Sequence, residues 1–180
     1  NLSDNAWTSL NPSTRPPARA LAAMTYDASV DRVILFGGHP ERFTKPFSGD
    51  LQGGASLGDT WEYDHNADTW EQIPAAESPA ARRCGSMVYD AYQQRSILVG
   101  GSDGLDCSGS LRDSWAFDAG AGAWERLGEA PQLTFQGMAY VPEDNEIVAY
   151  VGGTSWIYFK PVFWVYDLTT YEWSEAGAGN

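Results

Sequence analysis

The sequence predicts an all-β fold: a partial β-propeller of three four-stranded antiparallel blades plus one N-terminal outer strand. Three observations point there. A glycine pair closes an apolar run at Gly37-Gly38, Gly100-Gly101 and Gly152-Gly153. The tetrads Trp61-Glu62-Tyr63-Asp64, Trp115-Ala116-Phe117-Asp118 and Trp164-Val165-Tyr166-Asp167 recur, each with a second tryptophan (Trp70, Trp124, Trp173) nine positions after the first. The stretch between glycine pair and tetrad varies freely, at 23, 14 and 11 positions, while the blocks around it keep their length. Rigid hairpins joined by length-tolerant loops leave that signature, and such units bury their faces by stacking on one another.

Each element follows in order. The first strand opens at Met24, Met87 or Met138, alternates small and aromatic residues, and runs into turn-forming residues such as Ala28-Ser29 or Pro142-Glu143-Asp144-Asn145. The second strand is a continuous apolar run, Val33–Phe36, Ile97–Val99 or Ile147–Val151, as expected of a strand covered on both faces. Methionine precedes the first glycine by 13, 13 and 14 positions. The third strand alternates, with Trp61 and Tyr63 on one face and Glu62 on the other. The turn Asp64-His65-Asn66-Ala67-Asp68 leads into the fourth. Blades are expected over residues 20–75, 84–128 and 137–176. Trp7 precedes Met24 by 17 positions, the distance from Trp70 to Met87, so residues 1–10 read as the outer strand of a preceding blade.

Propellers typically close with about 4–8 blades. Three predict a segment of a longer ring, or a ring completed by another copy, because a lone arc leaves an apolar blade face exposed at each end. The sequence opens on Asn1 rather than Met, the mark of a processed product or a piece of something larger.

Composition narrows the functional classes. The 180 residues carry 11 Lys+Arg against 24 Asp+Glu, a formal net charge of −13. So acidic a chain gains nothing from counterion release on a polyphosphate, and nucleic acid is excluded as a partner. Anionic membrane surfaces are disfavoured for the same reason, and no apolar run approaches the ~20 residues needed for membrane insertion. Hydrophobic residues at 43%, with 8 Trp, suffice for a packed core.

These repeats resemble the kelch repeat, whose hallmarks are a double glycine ending the second strand and then an aromatic residue and a tryptophan at set distances. Gly37-Gly38, Gly100-Gly101 and Gly152-Gly153 match the first; Tyr63, Phe117 and Tyr166 with Trp70, Trp124 and Trp173 match the second, Phe117 being a mild departure. The resemblance spans essentially the whole chain and implies a propeller with helices nearly absent. Glycine allows a sharp turn where no Cβ fits, and tryptophan fills space between blades.

Meander geometry gathers the loops between second and third strands and the inter-blade links on one rim, where binding residues concentrate. Arg19 and Arg82 each precede their methionine by five, with Arg83 beside the latter. In kelch proteins an arginine after proline here often faces the central pocket, and Pro17 and Pro79 supply the prolines. Arginine reads carboxylates through its planar fork, so an acidic peptide is one natural ligand. The other reading has these arginines pair with local carboxylates and pin the links. The third repeat has Leu133 instead, so any basic ring is incomplete. Cys84 and Cys107 fall at one edge of one blade, placed for a disulfide in an extracellular or secretory compartment; two reduced thiols in a cytosolic chain are the alternative.

For an enzyme the chemistry is missing. Galactose oxidase, also a kelch propeller, uses histidine and tyrosine ligands for copper, but His39 and His65 here fall on opposite rims. No nucleophile elbow, HExxH or phosphate-cradling loop occurs, so neither metal nor cofactor is expected. The sequence therefore points to a non-catalytic protein-binding or scaffolding propeller that meets its partner through the loop rim. The alternative is a secreted carbohydrate-binding or galactose-oxidase-like propeller using Phe43, Trp156 and Tyr158 to stack on sugar rings, its catalytic part outside this chain.

Overall fold

The structure, a computed structural model, describes residues 6–40, 55–104, 107, 111–131, 136–151 and 162–176. Twelve strands form three four-stranded antiparallel sheets, and the described residues contain no helix. Blade 1 holds β1 (Ala23–Asp27), β2 (Arg32–Phe36), β3 (Thr60–Asp64) and β4 (Thr69–Ile73). Blade 2 holds β5 (Ser86–Asp90), β6 (Arg95–Val99), β7 (Asp113–Asp118) and β8 (Ala123–Glu129). Blade 3 holds β9 (Gln136–Val141), β10 (Glu146–Val151), β11 (Val162–Asp167) and β12 (Glu172–Glu175). Every sheet keeps its strands in chain order, and the innermost strands β1, β5 and β9 lie side by side around the axis.

Local chemistry ends the strands where the sequence expects. Asp27, Asp64, Asp90 and Asp167 each accept a backbone N–H two residues on through Oδ1, at 2.6–2.9 Å, an Asx-turn that stops the strand. Asp31, Asp68, Gln94, Asn145 and Tyr171 close the hairpins with φ between 51° and 60°. The nine-residue tryptophan spacing also has a cause. Tyr63 pairs with Trp70 across the β3–β4 ladder, Phe117 with Trp124 and Tyr166 with Trp173, with ring centroids 5.1, 4.9 and 4.7 Å apart. Cross-strand aromatic pairs of this kind stabilise a sheet and give its face bulk.

That bulk fills the blade junctions. Between blades 1 and 2, Ala23, Ile34 and Phe36 meet Met87, Leu98, Phe117 and Trp124, with Phe36 edge-on to Trp124 at 5.2 Å. The Trp124 indole N–H donates to Thr60 Oγ1 at 2.9 Å, so the ring's polar edge is satisfied inside. Between blades 2 and 3, Ile97, Val99 and Ala116 meet Ile147, Ala149, Tyr166 and Leu168. Full burial of each such Ile, Leu or Phe contributes about 1.5–3 kcal/mol.

The two ends of the arc repeat these surfaces uncovered. Met24 is 58% exposed whereas its blade 2 counterpart Met87 is 9% exposed, and Tyr26 beside it is exposed too. At the far end Tyr150 and Phe163 are exposed and pack on one another, centroids 5.4 Å apart. Of residues 1–10, expected as the outer strand of a preceding blade, 1–5 lie outside the described residues, while 6–10 pair with no strand among the described residues and Trp7 is exposed.

Candidate functional site: the loop rim

The first two glycine pairs sit where a link crosses the rim. Gly37 has φ +70°, and a Cβ there would stand 2.5 Å from the carbonyl oxygen of Arg82 in the next blade's link. Gly101 has φ +109°, and a Cβ would meet the Arg83 oxygen at 2.8 Å. Only glycine allows both the left-handed turn and the close approach. Gly152-Gly153 lie outside the described residues.

The links are consequently threaded into a hydrogen-bonded ribbon. Ala20 and His39 exchange backbone bonds at 2.9 and 2.8 Å, as do Arg83 and Ser102. Arg82 N–H donates to Leu57 O and Gly38 N–H to Arg82 O, so the second link is clasped between the loop of blade 1 and its own blade. Cys84 N–H donates to Leu21 O, tying one link to the previous one. Cys84 and Cys107 form a disulfide with Cα atoms 5.7 Å apart, stapling link to loop.

The arginines expected either to read a ligand's carboxylate or to pin the links through local carboxylates make internal contacts within this scaffold. Arg82, 1% exposed, donates from Nη1 and Nη2 to the two Asp113 carboxylate oxygens at 2.7 and 2.8 Å, from Nη1 to Gly100 O and from Nε to Ala80 O. Arg19 repeats this with Asp59 at 2.6 and 2.9 Å, adding Gly37 O and Pro17 O. Arg83 is 2% exposed and donates from Nε to Ser56 Oγ. Each aspartate also accepts an indole N–H, from Trp61 or Trp115, at 2.6 Å. Burial opposes ionisation of Asp59 and Asp113, but the arginine bonds and then the indole N–H outweigh it and hold both carboxyls below the usual carboxylate range.

Repeat arithmetic could have found these partners. Asp59 and Asp113 both stand two residues before a tetrad tryptophan, and the third repeat loses arginine and aspartate together, with Leu133 and Val162 in their places. The intervening loop varies in length, which hides the pairing from any fixed-spacing search. Phe43, Trp156 and Tyr158, expected to stack on a sugar, lie outside the described residues. Among the described residues no group of three or more His, Cys, Asp and Glu is placed to hold a metal ion, and no helix is long and apolar enough to cross a membrane.

The profile of the KLHDC2/KLHL20/DRC7 Kelch-repeats domain matches residues 1–179. The chain belongs to the kelch-repeat family. The three four-stranded sheets described above are the folded form of its kelch repeats. The solved structure of YjhT is similar, with a TM-score of 0.63 at 13% identity over 90% of this chain, a likeness of fold alone. The chain covers 53% of that protein and so spans about half its length. No curated protein matches the kelch chain in sequence.

Proposed function

We propose that this kelch chain is a non-catalytic protein-binding module, meeting its partner through the rim of β2–β3 and β6–β7 loops and inter-blade links. The observation that carries the reading is the clasped link: Arg82–Asp113, the Arg83–Ser102 bridge and the Cys84–Cys107 disulfide converge within one stretch of rim. Loops of unequal length spring from rigid anchors, which lowers the ordering cost of binding and leaves specificity to loop sequence. With the arginines engaged internally, the loops rather than a basic ring supply the contacts. The same reading completes the ring with further blades or another copy, whose faces cover Met24 and Tyr26 at one end and Tyr150 and Phe163 at the other.

A photo-crosslinking residue at Gly104, exposed on the rim, is compared with one at Ala67 on the opposite rim. Polypeptide adducts from Gly104 and none from Ala67 support the reading. Adducts from Ala67 alone, or from neither position, overturn it.

A further inference from the structure

One corner of the blade 2–blade 3 junction departs from its counterpart. In blades 1 and 2 the tryptophan heading the third strand gives its indole N–H to an aspartate, Trp61 to Asp59 and Trp115 to Asp113. In blade 3 Val162 stands where the aspartate would be, and among the described residues the Trp164 indole N–H has no acceptor. The same ring lines an open groove of about 640 Å³ on the outer flank between the blades, with Trp173, Tyr171, Pro131, Glu129 and Glu172.

The groove walls are fixed in advance. Trp173 stacks on Tyr166 at 4.7 Å and 26°. The Tyr171 hydroxyl is held by Gln93 Nε2 at 3.0 Å and Arg95 Nη2 at 3.1 Å, with the Arg95 guanidinium 5.6 Å from its ring centroid. Arg112, at the edge, is turned back onto Ala130 O through Nε. Aromatic rings lining an open trough, with a donor that has no acceptor among the described residues, suit an extended chain whose own carbonyls make no internal hydrogen bonds. Polyproline II is such a chain, and aromatic grooves recognise it by stacking on proline rings and donating to its carbonyls. The net charge of −13 attracts a basic strand and repels an acidic one.

We infer that this flank groove binds a proline-rich, extended polypeptide segment carrying basic residues, with Trp164 as donor to its backbone and the aromatic rings as its bed. The groove touches the loop rim at Arg112, Ala130 and Pro131, but its aromatic bed lies on β11, the β11–β12 turn and β12, and the inference does not depend on the rim reading.

The test is calorimetric titration of the whole chain with eight consecutive prolines flanked by two arginines at each end. A glycine-serine peptide with the same arginines and a cello-oligosaccharide serve as the other arms. The proline peptide binds, the glycine-serine peptide at least ten times more weakly, and Trp164→Phe, which keeps the ring and removes the N–H, weakens binding about fivefold, one hydrogen bond's worth. Val162→Asp, which returns the internal acceptor, weakens it likewise and covers the case in which the phenylalanine variant folds poorly. Equal binding of both peptides, no peptide binding, indifference to both substitutions, or an oligosaccharide that binds instead of the peptide each overturns the inference.

Discussion

The Arg82 guanidinium closes a two-pronged ion pair on the Asp113 carboxylate, at 2.7 and 2.8 Å, across 31 residues of chain. It fastens the link entering blade 2 to the strand β7 of the same blade, in a place where the arginine meets almost no water.

Breaking that pair from one side should be far worse than removing both partners. Asp113→Val leaves a buried guanidinium without its counter-charge and is expected to cost about 3–5 kcal/mol in urea unfolding. The double variant Arg82→Leu with Asp113→Val installs the pair of residue types found at 133 and 162 in the third repeat, and should recover most of that loss. A double variant as unstable as the single one would contradict this account.

Acid should loosen the rim. Asp59 and Asp113 titrate below the ordinary value in the folded chain, so their contribution is complete above an unfolded-state pKa near 4. It drains away as pH falls through that value toward the depressed folded ones. Thermal midpoints recorded from pH 6 down to 2.5 should therefore hold to about pH 4 and then drop. The Arg82→Leu/Asp113→Val variant should lose less over the same interval.

The two junction tryptophans should answer differently to one substitution. Trp124→Phe deletes the N–H bonded to Thr60 Oγ1 and leaves that hydroxyl without its donor, at a cost of about 1–2 kcal/mol beyond the packing change. Trp173→Phe deletes an indole N–H that is buried with no partner among the described residues, so its polar term favours the variant. Urea midpoints of the two variants side by side test the difference, and an equal loss in both would show that the Thr60 bond contributes little.

Reducing the Cys84–Cys107 bridge opens a loop with sequence separation 23 and should lower stability by about 3 kcal/mol. Paired serines at the two positions should reproduce the effect of reductant and be insensitive to it, with proteolysis in 103–111 accelerated first.

The blades were legible because period-two alternation and turn chemistry are local. An aspartate such as Asp64 stops its strand whatever surrounds the blade, and Tyr63 opposite Trp70 follows from hairpin length alone. The arginines were harder. Arg19 and Asp59 lie 40 positions apart and Arg82 and Asp113 lie 31 apart, so no constant interval announces them. From the chain alone Arg82 suits a solvent-facing ligand reader and a buried strut equally well.

Residue order by itself determined the three meanders and the aromatic faces that make them stack, since each arises from neighbours within one hairpin. Only the tertiary structure decided that Arg19, Arg82 and Arg83 turn inward and that the flank beside Trp164 stays open. Those outcomes depend on which groups from separate blades meet, and on whether water is left between them.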